Sequence, residues 1–280
     1  MDLQRNFGSL LLLFAAHCTF AAVPQRVTSL NLCSDQLLLE LLPPDHIASV
    51  TYMSRESYQS YRTAEARRVG VNHGQAEQIV AERPDLVIAG LYTTPQTRFL
   101  LKSVGIPLLE LPPANNFQEI RDITRRVAHA VGADEQAERL IRQMDDTLAR
   151  LAATKPSRPI TIIGWDGGGY VPGKDTLFDA IVSAAGAVNV GAAPGLRSGG
   201  VDTERLLMLH PDLLAFGDAT LAAPALHTAP LFNPAVRRMY RGRAIRYPEL
   251  LYSCGLPESA QAALQIRRVM LQVLGSKTPA

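Results

Sequence analysis

The chain has no charge of one sign to spare. Twenty-eight lysines and arginines stand against 26 aspartates and glutamates, a formal net charge of +2. That excludes the broad basic field of a nucleic-acid or anionic-membrane binder. No Lys/Arg run and no basic face interleaved with aromatics reinforces the exclusion. There is no Gly-x-Ser-x-Gly elbow for a serine hydrolase. Past the first residues the histidines are His46, His73, His129, His210 and His227, with no His-x-x-x-His or Cys-x-x-Cys spacing to hold a metal. Low-complexity tracts and long flexible linkers are missing too. What is left is ordinary globular material, 47% hydrophobic and 19% charged over 280 residues, enough for about two domains.

No apolar run reaches the roughly 20 residues of a membrane span. The N-terminus has a shorter one. Arg5 supplies a positive charge, Phe7 to Ala16 is apolar apart from Gly8 and Ser9, and Thr19-Phe20-Ala21 offers small residues for cleavage. Residues 1–22 therefore read as a removed secretory signal. Cys18 leaves with it, and His17 before it does not suit lipidation. Cys33 and Cys254 remain in an oxidising compartment. They form either a disulfide between the two ends of the mature chain or two separate buried thiols.

One phrase occurs twice. Glu77 to Gly90 reads as a helix, a Pro84-Asp85 turn and an apolar strand, and Glu204 to Gly217 repeats it around Pro211-Asp212. The surroundings repeat as well. Ile160 to Gly164 matches the strand near Val27, and Thr176 to Ala185 matches the helix near Asp35. Alternating strands and helices predict mostly parallel sheets with helices on both faces. The predicted organisation is an α/β lobe over 26–116, a helical connector over 117–155 and a second lobe over 158–275. Within the connector, Ile120, Ile123, Val127 and Val131 give Phe117 to Val131 a helical spacing that Gly132 breaks, and Asp134 to about Ala153 has an apolar stripe and would reach roughly 30 Å.

The two Glu…Pro-Asp-Leu phrases and the helix between them resemble the substrate-binding proteins of ABC importers for ferric siderophores, cobalamin and haem. Ser29 to Leu38 and Cys254-Gly255-Leu256-Pro257 resemble a subgroup of that family. The resemblance covers Arg26 to about Leu274. It implies two Rossmann-like lobes joined by a single long interlobe helix. It also implies a periplasmic location, no catalysis, no resident cofactor and a metal chelate held between the lobes. Ferric siderophore ranks first as ligand, a corrinoid next, then haem. The partner implied is the permease dimer in the inner membrane, met by a monomer through Glu77 and Glu204, each at a helix start where its charge suits the dipole. A periplasmic hydrolase is the competing reading from another class.

Ligands of doubly wound sheets sit beyond the carboxyl ends of strands. That rule selects Tyr52, Tyr92, Trp165, Tyr170 and Tyr252 as broad contacts for a planar chelate, with Arg55, Arg62 and Arg197 to meet negative charge. Gly168 to Asp175 nearly spells a phosphate loop. Asp175 stands where a hydroxyl is needed and would repel phosphate, so no nucleotide is expected.

Overall fold

The computed structural model describes residues 23–156, 158–165, 168–196, 200–217, 231–247 and 250–275. The expected leader over residues 1–22 and the candidate Arg197 lie outside these.

The chain begins in the middle of its first sheet. β1 (Val27–Ser29) leads through α1 (Leu32–Leu41) to β2 (Ile47–Thr51), α2 (Thr63–Ala66) and β3 (Gly70–Asn72) on one side. It then returns through α3 (Ala76–Glu82) to β4 (Leu86–Gly90), α4 (Pro95–Ser103) and β5 (Leu108–Leu111) on the other. All neighbours are parallel, in the order β3-β2-β1-β4-β5. After α5 (Phe117–Val131) and α6 (Asp134–Ala153), the second half repeats the plan. β6 (Ile160–Gly164), α7 (Leu177–Ala184), β7 (Ala187–Asn189), α8 (Thr203–Leu209), β8 (Leu213–Gly217), α9 (Pro234–Met239) and β9 (Ala244–Tyr247) follow. Their sheet is parallel in the order β7-β6-β8-β9. α10 (Leu250–Ser253) and α11 (Ser259–Gly275) end the described chain. The short strands β3, β5 and β9 carry too few residues to show a sequence pattern of their own.

The repeated phrase has a physical reason. Each copy is a seven-residue helix followed by a five-residue strand. Each helix ends on a left-handed residue, Arg83 at φ 51° and His210 at φ 46°, because the next residue is a proline that disfavours helical geometry before it. Each proline is followed by an aspartate that fixes the start of the lobe's central strand. The Asp85 carboxylate accepts from the Gln25 and Arg26 amides at 2.6 and 2.9 Å. The Asp212 carboxylate accepts from the Thr161 amide and hydroxyl, both at 3.0 Å. Charge-assisted bonds of this kind are roughly twice as strong as neutral ones. The phrase thus carries its own tie to a strand about fifty to sixty residues earlier in the chain, 59 for Arg26–Asp85 and 51 for Thr161–Asp212.

The connector holds two helices that meet at Gly132, as the spacing predicts. Asn116 caps α5 by accepting from the Gln118 and Glu119 amides, and Gly132 at φ 70° ends it. α6 then runs back beside it, with Arg125 paired to Glu138 at 2.6 Å and Arg121 paired to Asp145. Both helices bury residues in both lobes. Ile120, Met144 and Leu151 join the core of the second lobe, whereas Val127, Val131, Ala137 and Leu140 join that of the first. Burying such side chains contributes roughly 1.5–3 kcal/mol each. The long helix α6 joins the lobes, and α5 packs beside it as a second strut.

The second lobe also reaches back. Cys254 and Leu256 lie in the first lobe's core. Gly255 permits this because a Cβ there would come within 2.5 Å of Ala114 Cβ. Arg62 of the first lobe pairs with Glu258 at 2.7 Å and with Glu40.

Candidate functional site

In each sheet the chain leaves the central strand one way and its later neighbour the other. The loops after β1 and β4 diverge, as do those after β6 and β8, leaving a crevice at the strands' carboxyl ends. A cavity of about 420 Å³ lies there, between the lobes. That is within the roughly 300–1,000 Å³ usual for small-molecule sites.

The first lobe supplies Asn31, Cys33 and Ser34 after β1, and Gly90, Leu91 and Tyr92 after β4. Asn31 has two tasks. Its side-chain oxygen accepts from the Cys33 and Ser34 amides, which starts α1, and its amide group lies against Gly90. A Cβ at Gly90 would sit 2.5 Å from Asn31 Nδ2, so glycine is what lets the asparagine reach the crevice. The floor is Pro112 to Asn115 with Ile123 of α5. The second lobe supplies Tyr170 and Pro172 after β6, the start of α7 at Thr176 to Phe178, and Tyr252 with Ser253.

Tyr252 is held by other rings. Its centroid is 4.4 Å from that of Tyr247 and 6.5 Å from that of Phe178, both edge-on, geometries that aromatic pairs favour. Opposite it Tyr92 is 81% exposed, and Tyr170 is 51% exposed. The crevice therefore offers one phenol braced by rings, Tyr252, and two exposed ones, Tyr92 and Tyr170. Every described lining residue is apolar, aromatic or neutral and polar.

Cys33 and Cys254 form a disulfide, with Cα atoms 5.1 Å apart across a sequence separation of 221. Cys33 lines the cavity, so the bridge that ties the two lobes lies at the crevice.

The remaining candidates sit elsewhere. Trp165 is 2% exposed, packs with Ile163 and Leu206, and donates its indole N–H to the Val201 carbonyl at 2.8 Å. Its position after a strand was legible; the face it takes was not, and it is a core residue outside the crevice. Arg55 donates to the Ala66 and Val69 carbonyls at 3.3 and 2.8 Å, closing the loop after β2, and Arg62 is held by Glu40 and Glu258. Tyr52 is 47% exposed and stacks on His73 with centroids 5.2 Å apart, outside the cavity wall. Glu77 and Glu204 are exposed in the first turns of α3 and α8. Sequence reading missed the floor at Pro112 to Asn115, since it follows the unrecognised strand β5. It also missed Phe178, although the helix that carries it was recognised.

Beneath the crevice, Asp35 is fully buried in α1. One carboxylate oxygen accepts from the Thr51 amide and hydroxyl and from the Ser54 hydroxyl; the other, Oδ1, has no partner. Burial raises its pKa to about 7 against the lowering effect of those bonds. Among the described residues no group of three or more His, Cys, Asp or Glu could hold a metal ion. No described helix is long and apolar enough to cross a membrane.

Comparison with known proteins agrees with this architecture. An uncharacterized ABC transporter substrate-binding lipoprotein of Bacillus subtilis (strain 168) is 24% identical over 216 residues, 73% of this chain and 67% of its own. The periplasmic heme-binding protein RhuT from Roseiflexus sp. RS-1, in apo form, superposes with a TM-score of 0.72 at 22% identity, covering 89% of this chain and 98% of that one. The periplasmic vitamin B12 binding protein BtuF of Vibrio cholerae gives 0.67 at 17%, covering 91% and 99%. Residues 27–219 match the periplasmic binding protein family, and the chain therefore belongs to that family as a substrate-binding protein of the ABC-transporter kind.

Proposed function

We propose that this protein captures an uncharged or weakly charged macrocyclic metal chelate, a corrinoid first, between Tyr92 of one lobe and Tyr170 and Tyr252 of the other. It then delivers that ligand to a membrane permease. The observation that carries this reading is the chemistry of the crevice, where broad rings and neutral amides are the described surfaces on offer. A planar macrocycle fringed with carboxamides matches rings by stacking and Asn31 and Asn115 by hydrogen bonds. Ferric siderophores rank lower than they did on sequence, because Arg55 and Arg62 are committed to carbonyls and carboxylates away from the cavity.

Haem is the second reading. A phenol oxygen can ligate ferric haem iron, and exposed Tyr92 and Tyr170 are phenols facing the crevice region. Delivery rests on Glu77 and Glu204, equivalent residues of the repeated phrase, each exposed at a helix start and suited to a directional bond with a permease arginine. Export through a cleaved leader over residues 1–22 and a periplasmic working place belong to the same reading.

Visible spectra of the mature protein titrated with cyanocobalamin, haemin and a ferric hydroxamate test it. Saturable binding of cyanocobalamin in preference to the other two is expected. Saturable binding of the ferric hydroxamate alone contradicts it.

A further inference from the structure

The two lobes share a fold, but at one corner they have opposite charge. In the first sheet β4 and β5 pair Ala89 with Glu110; in the second, β8 and β9 pair Phe216 with Arg246. Counted from the repeated phrase, Phe216 is the counterpart of Ala89, so Arg246 stands where Glu110 stands. The helices in front correspond as well. α4 and α9 each open on a proline, and each chain carries cations three and seven residues later. These are Arg98 and Lys102 in the first lobe, Arg237 and Arg241 in the second.

In the first lobe the corner neutralises itself. The Glu110 carboxylate takes Arg98 on one oxygen and Lys102 on the other, which holds its pKa below the usual carboxylate range. In the second lobe the central carboxylate is replaced by a guanidinium. Arg237, Arg238, Arg241 and Arg246 line one cavity of about 670 Å³, and none of them makes an ion pair among the described residues. No acid falls between residues 231 and 247. Like charges brought together without a counter-charge are unfavourable. Among the described residues these arginines meet no counter-charge.

The rest of the wall is apolar. Leu214, Phe216, Leu231, Phe232 and Val236 contribute, and Phe232 is 48% exposed. On β9 the residues facing this cavity, Ala244 and Arg246, are exposed, while Ile245 and Tyr247 on the other face are buried. Tyr240 also lines the cavity. It is 3% exposed, and its hydroxyl has no hydrogen-bond partner. Burial pushes that phenol up to about 12, so at neutral pH it is a protonated donor. A buried donor left unmade costs roughly 1–3 kcal/mol, which an acceptor on a ligand would recover. The cavity shares no described lining residue with the interlobe crevice.

We propose that the pocket between α9 and the β8–β9 edge is a second binding site, for an anionic amphiphile with a phosphate or carboxylate head and an apolar body. The head takes the place that Glu110 fills in the first lobe, among Arg237, Arg241 and Arg246. The body lies against Phe216, Leu231 and Phe232. This inference does not depend on the identity of the crevice ligand or on permease docking.

The mature, disulfide-bonded protein is titrated by calorimetry with octyl phosphate, octyl glucoside and inorganic phosphate. Octyl phosphate is expected to bind at least roughly tenfold more tightly than either control, since each control lacks one half of the recognition. Arg246→Glu supplies the missing carboxylate internally and should weaken octyl phosphate at least roughly tenfold while raising thermal stability at low salt. Arg246→Gln, with no new charge, should weaken it less and guards against a misfolded variant. Cosedimentation with phosphatidylglycerol vesicles but not with phosphatidylcholine vesicles would support a lipid headgroup as the source; octyl phosphate binding without cosedimentation would support a soluble amphiphile. Undetectable octyl phosphate binding, equal binding of octyl glucoside or inorganic phosphate, or wild-type affinity in Arg246→Glu overturns the proposal.

Discussion

Cys254 is bonded to Cys33 inside the first lobe's core, although α10, the helix that leads to it, packs on α7 and α11 of the second lobe. The bridge closes a loop across a sequence separation of 221 and lies beside the crevice that Cys33 lines. Cross-links of this kind stabilise by about 2–5 kcal/mol. Cys33→Ser with Cys254→Ser should lower the urea midpoint by a corresponding amount. It should also widen the range of crevice openings, read as a larger radius of gyration by small-angle scattering without ligand. An unchanged midpoint and radius would mean that the brace of α5 and α6 alone sets the lobe geometry.

Asp35 predicts a slope of stability with pH. Its carboxyl is raised from 3.8 to about 7 by burial in the folded protein. Below the unfolded value both states are protonated and nothing is lost. Between the two values the unfolded chain ionises first, so stability falls as pH rises, and the loss is complete above the folded value. At about 1.4 kcal/mol per unit this amounts to a few kcal/mol. Urea midpoints near pH 4.5 and 7.5 should differ in that direction for the native chain and much less for Asp35→Asn. Equal slopes in the two proteins would remove Asp35 as the source.

Arg267 is the cation that ends two helices. It is 3% exposed and donates to the Leu151, Thr154 and Ala185 carbonyls at the ends of α6 and α7. No carboxylate faces it among the described residues. Arg267→Met keeps the apolar stem and takes the guanidinium donor from three carbonyls, of which Leu151 keeps the Thr154 amide, at a cost of about 2 kcal/mol or more. Thermal melts of that variant should show the loss; a change within experimental error would mean that solvent or backbone relaxation satisfies those carbonyls.

Much of this fold is written locally. Helix, Pro-Asp turn and strand lie within fourteen residues, so the repeat was readable; the tie from each aspartate to a strand at least fifty residues away was not. Trp165 was misread because its position fixes a strand end but not a sheet face. The arginines at 237, 238, 241 and 246 escaped notice for a related reason. They span a helix, a turn and a strand, and no single period gathers them. The crevice floor at Pro112 to Asn115 depends on β5, whose four residues Leu-Leu-Glu-Leu look like any apolar scrap.

Docking predicts a separation of two properties. Glu77→Ala with Glu204→Ala removes two exposed charges that do not line the crevice, so ligand affinity and melting temperature should stay within error of the native values. Uptake of radiolabelled ligand by cells carrying that double variant should fall by at least roughly tenfold, given the worth of a charge-assisted bond at each lobe. Uptake at the native rate would show that the permease reads another surface.

The central claim concerns the crevice between Tyr92 and Tyr252. Isothermal titration of the mature, oxidised protein with cyanocobalamin tests it most directly, run beside Tyr92→Ala and Tyr252→Ala. One-to-one binding is predicted, weakened in each variant by roughly tenfold, the worth of a lost aromatic contact. Absence of binding, or native affinity in both variants, would contradict the account.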